Sequence, residues 1–220
     1  MCGRFALYSS FQSIKEYADI LAELEELEVN YNIAPGQNIP VIIKKNNKNH
    51  LEFCKWGLIP FWAKDPKIGY KMINTRAETI NEKPSFKYAF QKRRCLIPAN
   101  GFYEWRKDDK QPFYIHLKDR ELFTFAGIWE NWKSPEGKSV QTCSIITTSA
   151  NDALENIHNR MPVILPQRSE SIWLANEYPG KLIELLQPHP QNEIFYHEVS
   201  NEVNSVRNNF PELINHFQKV

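Results

Sequence analysis

Cys2 is the residue from which the chemistry of this sequence is read. Its side chain is small, so Met1 is an initiator of the type routinely removed, and its loss would leave Cys2 as the N-terminus. The result is a 1,2-aminothiol, a pair that no internal cysteine can offer because its nitrogen is an amide. An α-amine titrates near ~7.7–8.0 and a thiol near ~8.5, so a useful fraction of each is nucleophilic at neutral pH. The partner that uses both groups is an aldehyde. The amine condenses to an imine, and the thiolate closes on the same carbon to give a five-membered thiazolidine. On these two residues alone, an accidental Met-Cys start is the better reading.

Three further polar residues stand at element ends in apolar or tightly turning surroundings: Asn74, Glu104 and His158. Glu104 lies between Tyr103 and Trp105, a setting that desolvates a carboxylate and raises its pKa toward that of a general acid-base. A glutamate on the solvent side of a strand fits the same pattern. His158, ahead of Asn159-Arg160-Met161-Pro162, also reads as a helix C-cap. No His-x-x-x-His or His-Glu-x-x-His occurs, so no metal site is expected. Gly-x-Gly-x-x-Gly and a phosphate-cradling Gly-Lys-Ser/Thr are missing too, and no cofactor is expected. Cys54, Cys95 and Cys143 sit in apolar strand-like runs and form no Cys-x-x-Cys pair, so they read as buried small hydrophobes.

These residues need elements to position them. Arg4 to Leu7 reads as a short strand that fixes Cys2. A helix capped by Ser9 or Ser10 is predicted to run to about Glu28, with Ile14, Tyr17, Ala18, Leu21 and Leu24 on its apolar stripe. Asn30 to Gly36 is a polar stretch with Pro-Gly turn chemistry. Val41–Lys44 and Leu51–Trp56 are predicted strands around a hairpin loop at Asn46–Asn49. An aromatic-rich loop, Trp56 to Trp62, leads into a basic region. Further strands are predicted at Arg94–Pro98, Phe102–Arg106, Phe113–Leu117, Leu122–Trp129 and Gln141–Thr147. A short helix is expected over Ser149–Ile157 and a strand over Val163–Leu165. Helices near Glu170–Asn176 and Lys181–Leu186 follow, with a last strand at Ile194–Val199. Short, closely spaced strands with tight turns point to an α+β fold whose largely antiparallel strands form a partly closed, barrel-like sheet with flanking helices.

The 220 residues suit one domain, 1–220 with Met1 removed, and 42% hydrophobic and 24% charged residues are ordinary for a globular protein. No apolar run approaches the ~20 residues of a membrane span, and no secretory signal is visible. A free Cys2 also requires that nothing precede it, so the expected location is the cytoplasm, or the nucleus in a eukaryote. The net charge of +1 hides a segregation. Residues 10–30 hold six acids against one base, and residues 61–95 hold nine bases against three acids. A basic stretch of this kind suits an anionic partner, although a solvated face would look the same.

Six blocks then occur in order: Met1-Cys2-Gly3-Arg4-Phe5, Asn32-Ile33-Ala34-Pro35-Gly36, Trp56-Gly57-Leu58-Ile59-Pro60, Asn74-Thr75-Arg76-Ala77-Glu78, Gly101-Phe102-Tyr103-Glu104-Trp105 and His158-Asn159-Arg160-Met161-Pro162. The sequence resembles the SOS-response-associated peptidase family of abasic-site-processing proteins, from Cys2 to the region of Val199 to Asn208. It departs from the pattern in the lysine-rich piece from Lys64 to Lys71 and in the C-terminal tail. The resemblance implies a covalent, self-attaching reaction at abasic sites in single-stranded DNA, with Cys2 as the attacking residue. It gives Asn74 the orienting of the sugar or the cysteine, Glu104 the proton shuttle and His158 the opening of the deoxyribose ring. Arg4, Arg76 and Arg160 would hold flanking phosphates, and Trp62 would stack on a base or wedge against one. It further implies a monomer, nucleoid-associated in a bacterium, with replication-fork proteins as partners.

Two other readings fit Cys2 differently. An N-terminal-nucleophile peptidase or amidase would use the thiolate on a carbonyl with its own amine as base, which leaves the arginines and the basic stretch unexplained. A non-catalytic DNA-binding module would not need Cys2.

Overall fold

The computed structural model describes residues 2–21, 27–175 and 177–217. The first half of the chain gives β1 (Phe5–Leu7), α1 (Phe11–Ala18), β2 (Asn30–Ile33), β3 (Asn38–Lys45), β4 (Lys48–Trp56), β5 (Asn74–Arg76) and α2 (Pro84–Lys92). Strands β6 (Arg94–Ala99), β7 (Gly101–Trp105), β8 (Pro112–Leu117), β9 (Phe123–Lys133), β10 (Ser139–Ser149) and β11 (Arg160–Pro162) follow. Helices α3 (Gln167–Leu174) and α4 (Pro179–Ile183) and strand β12 (Ile194–Glu198) complete the fold.

The strands form two sheets. One is antiparallel, in the order β12-β8-β7-β1-β2. In the other, β10, β4, β3, β6 and β9 pair in turn and β9 returns to β10, closing a five-stranded ring. Strands β5 and β11 attach to β10 outside that ring. The fold is α+β with a barrel-like sheet, as predicted. Closure explains the near-continuous burial of β3 and β6, whose residues contact the barrel interior or the layers around it.

Local chemistry sets several boundaries differently from the prediction. Helix α1 is capped by the Ser10 hydroxyl, which accepts the Ser13 N–H at 3.1 Å, and ends at Ala18 rather than near Glu28. Asp19 takes up a left-handed conformation at φ 48°, and its neighbour Ile20 bridges to Asn49. The Asn49 amide donates to the Ala18 carbonyl at 2.6 Å, closing the helix end from another strand. Part of the predicted extension, including Leu24, lies outside the described residues. The β3–β4 turn needs only Asn46 and Asn47, both at positive φ, so Lys48 and Asn49 already belong to β4. The predicted helix over Ser149–Ile157 is a run of turns after β10. Asn151 accepts the Leu154 N–H and donates to the His189 carbonyl, which curls the chain without a helix. The predicted strand at Val163–Leu165 forms earlier, as β11, leaving Ile164 in a single bridge to Phe125.

The core ties the N-terminal segment to both sheets. Phe5 is fully buried, with its ring 5.3 Å from Trp56 of β4 and 5.9 Å from Phe125 of β9. Arg94, one of the nine bases of the basic stretch, faces inward. Its guanidinium donates to the carbonyls of Phe90 and Gln91 at the end of α2, and to those of Trp173 and Ala175 at the end of α3. A cation there satisfies carbonyls that a helix terminus leaves unpaired. Among the described residues no helix is long and apolar enough to cross a membrane.

Candidate functional site

The site forms where β1 and β7 of the antiparallel sheet meet β5, β10 and β11. Strand β1 pairs with β7 through Phe5↔Phe102 and Ala6↔Gly101. The Tyr103 N–H donates to the Arg4 carbonyl at 2.9 Å, so the register that anchors the N-terminal segment also sets Glu104. From the other side β5 lies parallel to β10, with Ile145↔Asn74 and Thr147↔Arg76. The Asn74 side-chain amide reaches back to donate to the Cys2 carbonyl at 2.7 Å. Residues 72 positions apart are thereby joined through a three-residue strand. The Asn74 Oδ1 is buried and has no hydrogen-bond partner among the described residues.

Electrostatics differ sharply among these groups. Cys2 is fully buried. Desolvation, and then the nearby Glu104 carboxylate, push its thiol well above the usual range, so at rest the sulfur is protonated. Glu104 is also buried, and loss of water raises its carboxyl to about 7. His158 is lowered to about 4, chiefly by desolvation. Its Nδ1 accepts the backbone N–H of Arg160 at 3.0 Å, which places the imidazole proton on Nε2. Arg76, His158, Asn159 and Arg160 line an open depression of about 450 Å³. Among the described residues, no three histidine, cysteine or carboxylate side chains gather as a metal site.

The model of the family described as SOS response associated peptidase matches residues 1–206. The chain belongs to the SOS response associated peptidase family. It is 51% identical to the abasic site processing protein YoqW of Bacillus subtilis, over 97% of this chain and 99% of that one. It is 32% identical to the abasic site processing protein YedK of Escherichia coli, again over 97% and 99%. A crystal structure of a protein from Bacteroides thetaiotaomicron superposes with a TM-score of 0.89 at 28% identity, covering 99% of this chain and 100% of that one.

The three arginines that the family resemblance groups together have different surroundings. Arg76 is exposed on β5. Arg160 is mostly covered: it is ion-paired with Glu78 and donates to the Thr147 carbonyl at 2.6 Å. That pairing holds Glu78 below the usual carboxylate range. Arg4, expected to hold a phosphate, points into the protein and is only 9% exposed. Its Nη1 donates at 2.6 Å to both Asn32 Oδ1 and the Val203 carbonyl. Burial of the N-terminal strand ties Nη1 to the segment that follows β12, while the buried Nε has no hydrogen-bond partner among the described residues. Trp62, by contrast, is 49% exposed on the turn closed by Ala63 N–H to the Pro60 carbonyl, and the Trp132 indole braces that turn through the Ala63 carbonyl.

The residues that sequence reasoning missed are those that support others. Asn32 is buried, accepts from Arg4, and donates to the carbonyls of Ser205 and Asn208 at 2.9 and 2.8 Å. Its place in the Asn32-Ile33-Ala34-Pro35-Gly36 block is a signal, read there only as turn chemistry. Glu78 sits in the Asn74 block. Thr147 has no such mark, because it is one of several buried serines and threonines along β10.

Arg4→Met keeps the volume and removes the cation, leaving Asn32 Oδ1 without this donor and the Val203 carbonyl with only the longer 3.3 Å bond from the Asn32 amide. Unsatisfied buried acceptors predict a loss of about 2–4 kcal/mol of stability. Thermal and urea unfolding check this, and a variant as stable as wild type would show that the clamp contributes nothing.

Proposed function

We propose that this protein captures abasic sites in single-stranded DNA by forming a thiazolidine through Cys2, shielding the lesion. The observation that carries this reading is the 2.7 Å hydrogen bond from Asn74 to the Cys2 carbonyl, beside a buried carboxyl whose pKa is near 7. The names of the relatives support the substrate class, and the aminothiol supports the chemistry. Removal of Met1, by the protein itself or by a separate peptidase, exposes the α-amine and leaves one SOS response associated peptidase domain over residues 2–220.

The closed deoxyribose of an abasic nucleotide must open before an aldehyde exists. His158, neutral at pH 7 with its proton on Nε2, hydrogen-bonds the ring oxygen through that N–H. As the bond from C1 to the ring oxygen breaks, the C1 hydroxyl proton passes through water to the ring oxygen, giving the aldehyde and a free hydroxyl and leaving His158 as it began. The Cys2 amine adds to the aldehyde carbon, oriented by Asn74, whose buried Oδ1 is available to an N–H. Protonated Glu104 supplies the proton with which the carbinolamine oxygen leaves as water, giving the imine. The double bond forms as an iminium whose nitrogen keeps its N–H. The Glu104 carboxylate then takes the proton of the Cys2 thiol, and sulfur bonds to the iminium carbon as the π electrons return to nitrogen, giving the thiazolidine. One water leaves in total. A carboxyl poised near neutrality suits both directions of transfer. If the thiol does not close, the imine can instead drain into β-elimination, so strand scission is a side path of the same intermediate.

The decisive test is the intact mass after incubation with single-stranded DNA carrying one abasic site. The expected species is the protein from Cys2 plus the oligonucleotide less one water. Met1 retained on the crosslinked protein would overturn the proposal. Consumption of peptides with no DNA adduct would favour the peptidase reading.

Arg76, and Arg160 once it shares itself between Glu78 and DNA, hold the phosphates flanking the lesion, with Trp62 stacking on a neighbouring base. Because Glu78 already neutralises much of Arg160, Arg76→Ala should weaken binding more than Arg160→Ala. It should also flatten the salt dependence by roughly 0.7 in log–log slope, one phosphate's counterions on a single strand. Titrations at several salt concentrations check this. Identical slopes for wild type and Arg76→Ala would remove Arg76 from the phosphate path.

A further inference from the structure

We propose that the exposed face of α2, with Phe61 beside it, is a second stacking platform that binds the single strand running on from the abasic nucleotide. The inference rests on the single-stranded DNA reading above and extends it beyond the reacting nucleotide. It starts from aromatic side chains that folding leaves in water. Phe61 is 55% and Tyr88 46% exposed, and their ring centroids are 5.7 Å apart at 60°. Phe61 is the sequence neighbour of Trp62, and Tyr88 lies on α2, so the pair joins the proposed wedge to the helix. Half-exposed aromatic rings gathered in one place mark a surface that is covered in use.

Tyr88 is also held in place. The Arg93 guanidinium lies 4.8 Å from the centre of its ring and 5.8 Å from that of Trp129. Arg93 is itself ion-paired with the buried Glu130 of β9. A ring backed by a fixed cation presents a rigid face, and stacking on it costs little ordering. The surroundings are cationic. Lys83, Lys87 and Lys92 are exposed on or next to α2, against one exposed acid there, Glu82. Aromatic faces interleaved with lysines fit a single-stranded polynucleotide, in which bases stack and phosphates pair with cations. An aliphatic protein surface would use the rings but leave the lysines desolvated and unpaired.

The helix is also tied to the site. From Arg76 the chain passes through consecutive tight turns, with Ile80 N–H donating to the Ala77 carbonyl and Lys83 N–H to that of Thr79, before α2 begins. Ile80 is fully buried and anchors that connection. The chain leaving Arg76 and the turn carrying Trp62 thus both lead to the Phe61–Tyr88 pair.

The test uses dye-labelled oligothymidylates without any abasic site, about eight and about twenty-four nucleotides long, bracketing common single-strand site sizes. Fluorescence anisotropy at fixed salt reads the affinity. Wild type should bind the long oligomer distinctly more tightly than the short one. Tyr88→Ala should lose roughly tenfold on the long oligomer and less than about twofold on the short one, as expected for one lost base stack. Tyr88→Phe should restore the long-oligomer affinity, and matching thermal melts exclude misfolding. Lys87→Ala should reduce the salt slope by roughly 0.7 with the long oligomer only. Equal affinity of wild type and Tyr88→Ala for the long oligomer overturns the proposal. So does an equal loss on both lengths, or failure of wild type to bind either. Capture of an abasic oligonucleotide by wild type is a separate measurement. If it fails while the length-dependent loss persists, the Cys2 chemistry is wrong and the platform stands.

Discussion

Cys2→Ser protein, mixed with an abasic single strand, should form an imine that borohydride traps but no adduct that survives heating without reductant. The substitution keeps the α-amine and exchanges the thiol for a hydroxyl, which is almost entirely un-ionised and a far poorer nucleophile at neutral pH. The reductant-independent yield should fall to background, while strand scission rises as the open imine drains into β-elimination. Cys2→Ala should behave alike, because it too retains the amine. The burial of Cys2 sharpens the expectation: its thiol is protonated at rest, so ring closure needs a proton acceptor, and Glu104 is close enough to influence its charge. The measurement is intact mass with and without borohydride, alongside gel analysis of the DNA. A Cys2→Ser adduct as abundant and heat-stable as that of wild type would rule out the thiazolidine. A lysine of the basic stretch would then have to carry the covalent bond.

Much of this arrangement was legible because it depends on residue type at fixed places. Cys2 stands out only once the later blocks follow it in order, and the aromatic flanks of Glu104 fit a desolvated carboxyl or a solvent-side one, of which the structure has the former. The strand runs and their short turns gave the barrel-like sheet. Pairings between distant short segments could not be read. Strand β5 has three residues and lies parallel to β10, so Asn74 reaches Cys2 with no periodic signal to advertise it. The direction of a charged side chain was equally hidden. Arg94 looks in sequence like a cation for an anionic partner, yet its guanidinium is held by backbone carbonyls inside the fold, and Arg4 gives its Nη1 to Asn32 and Val203. Helix α2 was missed although its signals are present. Pro84 opens it, and Phe86, Ala89 and Phe90 fall at helical spacing on its buried face. The basic charge of that stretch drew the reading toward surface and away from periodicity.

Glu104→Gln should slow adduct formation by ~10²–10⁴-fold, the usual contribution of a positioned acid-base group, without abolishing it. Rate alone would not separate a proton shuttle from a residue that merely shapes the pocket, but linkage to stability supplies a second readout. The folded carboxyl titrates at about 7 and the unfolded one near ~4.3, so between those values the folded protein binds more protons. The Glu104 contribution therefore lowers stability as pH rises through that window, by on the order of 3 kcal/mol once the folded group has ionised. His158 acts in the opposite sense. Its folded value of about 4 lies below the unfolded ~6.5, so its contribution is lost as pH falls through the same range. The two slopes oppose each other in the wild-type curve, and the difference between wild type and Glu104→Gln isolates the carboxyl. Unfolding measured from about pH 4 to pH 8 should show Glu104→Gln gaining on wild type steadily up to about pH 7 and then holding its lead. If the two curves stay parallel, the Glu104 carboxyl ionises as it does in water, and it is not the proton carrier.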